Sequence, residues 1–193
     1  MFKIYGKLIS LLHTFIFKFD FNLFEIKVKI ASVKRIKIDG DFSLGNDFFS
    51  GEDLYISTNK YCSLMIGEKV MFGPQVMILG GNHNLKYSQS FMKDYVDDDA
   101  DTKSIVIEKG VWVGARSSIL SGATICEGAV VGANSLVSGY IPPFCIATGV
   151  PSKKFRSRFN RTSLTEYLYS TNSNYEFDEV IEIYNEYGVK LID

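Results

Sequence analysis

Residues 105–140 read, in consecutive groups of six, IVIEKG, VWVGAR, SSILSG, ATICEG, AVVGAN and SLVSGY. The third position of every group is a β-branched aliphatic residue: Ile107, Val113, Ile119, Ile125, Val131 and Val137. The first position lies two residues earlier, so in an extended segment it faces the same side. It is mostly small, as at Ser117, Ala123, Ala129 and Ser135. The pattern therefore predicts short strands that point these two positions into a narrow interior.

The sixth position of the groups predicts a corner. It is occupied by Gly110, Arg116, Gly122, Gly128, Asn134 and Tyr140. Gly and Asn tolerate left-handed backbone most readily. Three strands joined by corners would close a triangular coil of about 18 residues, and stacked coils would form a hexapeptide β-helix. An amphipathic helix would need a period of about 3.6 residues, and a hairpin sheet would need reversals, so the period excludes both.

A looser form of the same repeat precedes this stretch. Its corner positions are Asp41, Asp47, Asp53 and Asn59, and its later aliphatic or aromatic positions are Ile66, Phe72 and Ile78. Short Asp and Asn side chains bond their own turns, which accounts for the row of carboxylates without calcium. Residues 24–38 alternate in polarity and read as one strand. We expect the β-helix to occupy residues 24–155.

Length and composition fit one domain with appendages. The chain has 193 residues and a formal net charge of −1. A surface that tracks nucleic-acid phosphates normally carries a basic excess, so no nucleic-acid partner is expected. Cys62, Cys126 and Cys145 lack a CxxC spacing. We interpret them as reduced interior residues of a cytoplasmic protein.

The two ends of the chain depart from the repeat. Residues 1–23 read as an amphipathic helix, and lysines interrupt it too often for a membrane span. Such a helix either covers the solenoid or a neighbouring subunit, or makes peripheral contact with the inner face of a membrane through residues 1–20. Residues 156–193 read as a tail with one short helix between Phe177 and Gly188. We assign the tail no chemistry.

The repeat stops between Ile78 and Ile105, which predicts a loop over residues 79–104. Insertions of this kind often mark the binding face of a solenoid. His83 lies in the first turn of the loop, directly after Gly80, Gly81 and Asn82. Because imidazole takes up a proton near neutral pH, we interpret His83 as a general base. An orienting carboxylate could come from the acidic run, although a solvated acidic loop is the favoured interpretation of these residues: Asp94, Asp97, Asp98, Asp99 and Asp101.

These segments resemble the left-handed β-helix hexapeptide acyltransferases, in particular O-acetyltransferases of the galactoside/maltose and capsule or O-antigen type. The shared motifs are VWVGA at 111–115, GAVVGANSLV at 128–137, IPP at 141–143 and GVPSK at 149–153, with the loop histidine upstream. The resemblance covers roughly residues 36–158. It implies a homotrimer with active sites between neighbouring solenoids, where His83 activates a saccharide hydroxyl of a surface-polysaccharide precursor toward acetyl-CoA.

The resemblance also implies which residues hold acetyl-CoA. By motif position these are Ala115 and Ala133 at the pantetheine arm, then Ser138 and Gly139, and Lys153 and Arg156 at the nucleotide phosphates. Gly139 stands where the galactoside-type pattern has a lysine, so that contact is missing, and Lys154 or Arg158 would have to replace it. Trp112 either flanks the thioester channel or packs between subunits.

Other functions compete with this interpretation. Xenobiotic acetyltransferases share the architecture, and an amino-sugar N-acetyltransferase would use the same base. A structural β-helix would leave His83 incidental. A γ-type carbonic anhydrase needs three zinc-binding histidines, whereas the chain has only His13 and His83, so we expect no metal.

Overall fold

The structure is a computed structural model that describes residues 12, 27–95 and 102–193. It is a left-handed parallel β-helix with three sheets along the sides of a triangular prism. The helix predicted over residues 1–23 lies outside the described residues apart from residue 12. Asp97, Asp98, Asp99 and Asp101 lie outside them as well. Within the described ranges, no helix is long and apolar enough to cross a membrane.

Successive strands belong to successive sheets, so the chain winds around the prism. Sheet A contains β1 (Val28–Ile30), β4 (Phe48–Ser50), β7 (Met71–Phe72), β10 (Trp112–Val113), β13 (Val130–Val131), β16 (Cys145–Gly149) and β17 (Ser152–Ser157). Sheet B contains β2 (Val33–Ile38), β5 (Leu54–Thr58), β8 (Met77–Gly80), β11 (Ser118–Leu120) and β14 (Leu136–Val137). Sheet C contains β3 (Phe42–Leu44), β6 (Leu64–Ile66), β9 (Ile105–Ile107), β12 (Thr124–Ile125) and β15 (Tyr140–Ile141). We name each edge of the prism by the sheets it joins: A/B, B/C and C/A.

Strand pairing gives the length of each coil. Trp112 pairs with Val130, exactly three groups of six further along the chain, so this coil has the expected length. Earlier coils are longer. Tyr55 pairs with Arg35 in the preceding coil and with Met77 in the following one, and each partner is more than three groups of six away along the chain. Extra corner residues therefore explain why the groups of six fit poorly in the first half of the chain.

The predicted interior is confirmed. All six third-position aliphatics of residues 105–140 are at most 1% exposed, and the small first-position residues are buried beside them. Burying one such aliphatic side chain contributes about 1.5–3 kcal/mol. The small residues leave room for the aliphatics of a narrow prism, so the six-residue period itself defines the core.

Left-handed backbone occurs at five of the six predicted corners in this region. The φ angles are 68° at Gly110, 61° at Arg116, 84° at Gly122, 62° at Gly128 and 57° at Asn134. Tyr140 instead begins β15. In the first half, Asp47 and Asp53 have positive φ but Asp41 and Asn59 do not, so that part of the prediction is only partly correct.

The single strand expected over residues 24–38 is wrong. The chain forms β1 and β2 with a corner at Ala31 and Ser32. Ile30 and Val33 are both buried. Because residues three apart in one strand face opposite sides, only a corner between them lets both reach the core.

The tail contains two helices, α1 (Arg161–Ser170) and α2 (Phe177–Tyr187), whereas only the second was predicted. The side chain of Asn160 caps α1 by accepting a hydrogen bond from the Ser163 amide (2.9 Å). Gly188 ends α2 with φ 66°. Only Leu164 and Leu168 of α1 are buried, so its apolar face is too narrow to stand out in the sequence.

Polar contacts hold the tail on the C/A edge. The Tyr175 hydroxyl donates to Glu108 Oε2 (3.0 Å), and the Asn174 amide donates to Glu127 Oε2 (3.0 Å). Lys109 Nζ donates to the Asn172 carbonyl (2.6 Å). The tail thus packs against the C/A edge, and its second helix also reaches the end of sheet C, where Tyr187 stacks on Tyr140 (5.1 Å between ring centroids).

Candidate active site

The loop leaves the solenoid at the end of β8, on the B/C edge. The Asn59 amide donates to the Gly80 carbonyl (2.8 Å), which keeps the end of β8 in the stack. Gly80 is buried against Cys62, and a Cβ at this position would lie 2.4 Å from the Cys62 sulfur. Gly81 has φ 126°, a conformation essentially restricted to glycine. Both glycines are therefore required for this exit.

His83 follows this exit and is exposed. The next residue, Asn84, forms a turn, because its side-chain oxygen accepts from the Lys86 amide (3.0 Å) and its carbonyl from the Tyr87 amide (3.2 Å). The Tyr87 ring packs on Tyr95 at 4.7 Å between centroids. These contacts give the first part of the loop a defined shape.

The returning end of the loop is bonded to the next coil. The Lys103 amide donates to Ser121 Oγ (2.8 Å), and the Ser121 hydroxyl donates back to the Lys103 carbonyl (2.7 Å). Asn59 Nδ2 donates to Thr102 Oγ1 (3.4 Å) and so joins the two ends of the loop. The loop that carries His83 is thereby anchored to the B/C edge on both sides.

A cleft of about 350 Å³ opens beside His83, and we call it the His83 cleft. Its described lining is rich in hydroxyl and amide groups and contains no carboxylate: Lys37, Tyr55, Ser57, Thr58, Asn59, Leu79, Gly80, Gly81, Asn82 and His83. Thr58 is 2% exposed, and its hydroxyl has no hydrogen-bond partner within the described ranges. Asp94 does not line the cleft and accepts a hydrogen bond from Ser90 Oγ (2.6 Å).

A second cleft of about 660 Å³, the end cleft, lies at the C-terminal end of the solenoid. It brings together three of the predicted acetyl-CoA residues, Ser138, Gly139 and Lys153. A Cβ added to Gly139 would have no atom within 4 Å, so the cleft is open there. Tyr140 also lines the cleft, and burial raises the pKa of its hydroxyl, which therefore remains a hydrogen-bond donor at neutral pH.

The His83 cleft and the Ser138 side of the end cleft lie on the same edge of the prism. His83 follows β8 and Ser138 follows β14, with β11 between these two strands in sheet B. Neighbouring strands are about 4.8 Å apart, so the two corners are roughly 10 Å apart along the axis. The B/C edge thus carries His83 and two predicted donor-binding residues, Ser138 and Gly139, whereas Lys153 reaches the end cleft from the start of β17 in sheet A.

The remaining predicted residues lie elsewhere. Ala115 lies between β10 and β11, and Ala133 between β13 and β14, which places both on the A/B edge. Sheet B separates them from His83 within one chain. Arg156 pairs with Ile146 across β16 and β17, is exposed, and is absent from the described lining of the end cleft.

Neighbouring side chains show how the structure uses the other candidates. The Arg158 guanidinium donates to the Gly128 carbonyl and lies 5.5 Å over the Tyr167 ring, so it holds the tail rather than replacing the missing lysine. Trp112 is 49% exposed on β10, next to the A/B edge. Sequence reasoning overlooked Tyr55, which projects outward from β5 into the His83 cleft. Its outward position in the alternating segment LYIST was the available signal.

Comparison with known proteins agrees with this architecture. The bacterial transferase hexapeptide family (six repeats) matches residues 104–139. The expected resemblance to hexapeptide-repeat acyltransferases is confirmed. Among hexapeptide-repeat acyltransferases of known structure, a maltose O-acetyltransferase from Clostridium difficile 630 superposes with a TM-score of 0.55 and 26% identity, over 67% of this chain and 65% of that one.

Two relatives in sequence carry acetyltransferase names. A putative lipopolysaccharide biosynthesis O-acetyl transferase of Escherichia coli (strain K12) is 34% identical over 108 residues, which cover 54% of this chain and 55% of the relative. A chloramphenicol acetyltransferase of Escherichia coli is 31% identical over 118 residues, which cover 54% of this chain and 56% of the relative. The chain spans about half the length of these curated relatives.

Proposed function

We propose that this protein transfers an acetyl group from acetyl-CoA to a hydroxyl of a saccharide, with His83 as the general base. The observation that carries the proposal is that the His83 cleft and the Ser138 side of the end cleft share the B/C edge. A donor lying along this edge with its phosphates near Lys153 would direct its thioester toward His83. The Lys153 ammonium supplies a charge that suits those phosphates.

The division of the predicted residues between two edges supports a homotrimer. Ala115 and Ala133 on the A/B edge can meet the same donor as His83 and Ser138 on the B/C edge only if the two sets come from different chains, because sheet B separates them within one chain. In a closed three-fold arrangement every interface is the same heterologous contact, so if the A/B edge of one solenoid meets the B/C edge of the next, it does so at all three interfaces. The donor would lie between those two edges.

The proposed reaction moves one proton and one acetyl group. His83 takes the proton of the acceptor hydroxyl as its oxygen attacks the thioester carbonyl, which forms a C–O bond. The tetrahedral intermediate then collapses with cleavage of the C–S bond, and the departing thiolate takes the proton from the imidazolium. The products are the acetyl ester and free CoA thiol, so atoms and charge balance.

The lining of the His83 cleft supports a saccharide acceptor. Tyr55, Ser57, Asn59 and Asn82 provide hydroxyl, amide and ring surfaces of the kind that bind sugar hydroxyls and sugar faces. The similarity to a maltose O-acetyltransferase and a lipopolysaccharide O-acetyl transferase supports the same class. A lipid-linked or nucleotide-linked precursor of a surface polysaccharide would meet the protein in the cytoplasm.

Replacement of His83 tests the role of the base. In His83→Ala, kcat should fall by roughly two to four orders of magnitude, the usual contribution of a general base. The affinity for acetyl-CoA, measured by calorimetry, should stay unchanged because the histidine does not hold the donor. Lys86→Ala is the matched control, since Lys86 lies on the same loop but does not line the cleft. Retention of most of the rate in His83→Ala would contradict the mechanism.

A panel of acceptors tests the substrate class. Release of CoA thiol should be fastest with saccharides that offer only hydroxyl groups. Chloramphenicol belongs in the panel because a chloramphenicol acetyltransferase is among the relatives, and an amino sugar tests N-acetylation. Faster turnover of either would replace the proposed acceptor. Absence of any acetyl-CoA binding would favour a structural β-helix.

A further inference from the structure

A third cleft, the Arg116 cleft, opens on sheet B at the A/B edge. It measures about 270 Å³ and is lined by Lys34, Asp53, Tyr55, Gln75, Met77 and Arg116. Tyr55 also lines the His83 cleft. One aromatic side chain therefore borders both clefts, and together they form a groove across sheet B.

The Arg116 cleft carries an excess of positive charge. Lys34 and Arg116 face one acid, Asp53, whose carboxylate accepts a hydrogen bond from Ser32 Oγ (3.5 Å). Arg116 Nε donates to Gln75 Oε1 (3.0 Å), which orients the guanidinium and uses one of its five N–H donors. The chain as a whole has a net charge of −1, so two cations in one small cleft are a local feature.

The left-handed backbone of this corner does not itself require an arginine. Arg116 has φ 61°, and the equivalent corner of the next coil is Asn134 with φ 57°. The corner needs a residue that tolerates left-handed backbone, and it needs no charge. The hydrogen bond to Gln75 uses only Nε–H, so the remaining N–H groups of the guanidinium are available to bind an anion.

We propose that Lys34 and Arg116 form an anion site for an acidic acceptor, a saccharide with a carboxylate or phosphate group beside the sugar that is acetylated. The proposal rests on the function proposed above, because the acceptor hydroxyl must react in the His83 cleft. Lys34 and Lys37 on β2 each line one of the two clefts. A register shift between Val33 and Arg35 lets both side chains face outward, and it leaves them roughly 8 Å apart along the strand. This distance between the two clefts suits an acceptor whose charged group is one sugar unit away from the reacting hydroxyl. The Tyr55 ring would lie between the charged group and the reacting sugar.

The anion site lies level with His83 along the prism axis. Gln75, the hydrogen-bond partner of Arg116, comes just before β8, and His83 follows the same strand. In an oligomer whose symmetry axis is parallel to the solenoid axis, the rotation that relates two subunits leaves the height of each residue along that axis unchanged. The site can therefore serve the same acceptor whether His83 belongs to the same chain or to a neighbouring copy.

Steady-state kinetics with matched acceptors test the site. The acceptors are a neutral disaccharide, its counterpart with a carboxylate, and its counterpart with a phosphate monoester. For one of the charged acceptors, KM should be about tenfold below that of the neutral one, the ratio expected for one charge-assisted contact near the surface. Comparison of the carboxylate and the phosphate identifies which anion the site takes. Added salt should reduce the advantage.

Substitution of Arg116 connects this preference to the cleft. Arg116→Gln should raise KM for the preferred charged acceptor about tenfold, since one charge-assisted contact is lost. It should leave KM for acetyl-CoA and kcat/KM for the neutral acceptor unchanged. Lys69→Gln is the matched control, because Lys69 is also exposed at a left-handed corner (φ 56°) but lies on the C/A edge, and it should change nothing.

The outcomes separate this site from the function on which it rests. Equal KM values for neutral and charged acceptors, or an equal loss for both in Arg116→Gln, would overturn the anion site while acetyl transfer stands. Calorimetric titration of the charged sugars into the protein without acetyl-CoA tests the site directly. Failure to bind acetyl-CoA or to acetylate any acceptor would overturn the proposed function.

Discussion

Gly80 packs directly against Cys62, with space for a hydrogen atom and none for a methyl group, since an added Cβ would lie 2.4 Å from the sulfur. Gly80→Ala should therefore lower the free energy of unfolding by about 1–3 kcal/mol, as overpacking does. It should also displace the exit of the loop, and a shift of about 1 Å at a catalytic group can cost about 100-fold in rate. Urea unfolding and acetyl-transfer rates measure the two effects.

The same pair provides its own control. Cys62→Ala removes the sulfur, so the double variant should be more stable than the sum of the two single changes predicts. Gly139→Ala tests the effect of a methyl group in open space, and its free energy of unfolding should match that of the wild type within about 0.5 kcal/mol. Additivity of the Gly80 and Cys62 changes would refute the contact.

Gly139 offers a gain-of-function test. Its position has no atom within 4 Å of an added Cβ and lies in the end cleft with Lys153. Gly139→Lys should leave stability unchanged and lower KM for acetyl-CoA several-fold, because a second cation would meet the donor phosphates. Gly139→Gln supplies length without charge and should have little effect. An unchanged KM in the lysine variant would place the nucleotide end of the donor elsewhere.

Tyr175 tests the docking of the tail. Its hydroxyl donates to Glu108 Oε2 (3.0 Å), and Tyr175→Phe would remove a partner from a carboxylate, which should cost about 1–3 kcal/mol of unfolding free energy. Tyr169 is 91% exposed on α1, so Tyr169→Phe should be neutral. Thermal or urea unfolding distinguishes the two. Equal stability of both variants would show that this hydrogen bond does not hold the tail.

The buried thiols predict how reactivity and stability depend on pH. Burial raises the pKa of Cys126 to about 11 and that of Cys145 to about 12. The folded state therefore holds these protons more tightly than the unfolded state, in which the thiols have a pKa of about 8.5. The contribution of these two thiols to the free energy of unfolding is fully present below about pH 8.5, and it is lost as the pH rises through the pKa values of the folded state.

A thiol reagent measures this directly. At pH 8 the native protein should react far more slowly than the urea-unfolded chain, in which all three cysteines, Cys62, Cys126 and Cys145, become available. Unfolding midpoints should be flat from about pH 7 to 8 and fall between about pH 9 and 11. Fast modification of the native protein at pH 8 would contradict the burial of these groups.

The interior was predictable because it depends on a local period. Val113 and Val131 occupy equivalent positions in successive coils, and their burial follows from counting in sixes alone. The same count predicts which residues share an edge. Ala115 and Ala133 are one full coil apart and so lie on the same edge, whereas Ser138 follows Ala133 by less than one group of six and lies on the next edge. His83 was found for a related reason: a regular repeat makes its interruption conspicuous.

The grooves could not be predicted in this way. Lys34 and Arg116 meet only after coils of unequal length and a long insertion have been stacked. No period in the sequence reports those lengths, because the extra corner residues carry no common pattern. Helix α1 was overlooked because Leu164 and Leu168 are its only buried residues, and the corner at Ala31 was hidden by an alternation that continues on both sides of it.

The placement of Ala133 on one edge and His83 on another has a consequence for mixtures. In the proposed homotrimer, a chain altered only at its A/B edge still contributes an intact His83, and a chain altered only at its B/C edge still contributes an intact A/B edge. Two such inactive variants, unfolded together and reassembled, should regain activity, because mixed trimers contain interfaces that join the intact A/B edge of one variant to the intact B/C edge of the other. Dilution to concentrations at which the trimer dissociates should abolish the acetyl-transfer activity of the unaltered protein as well.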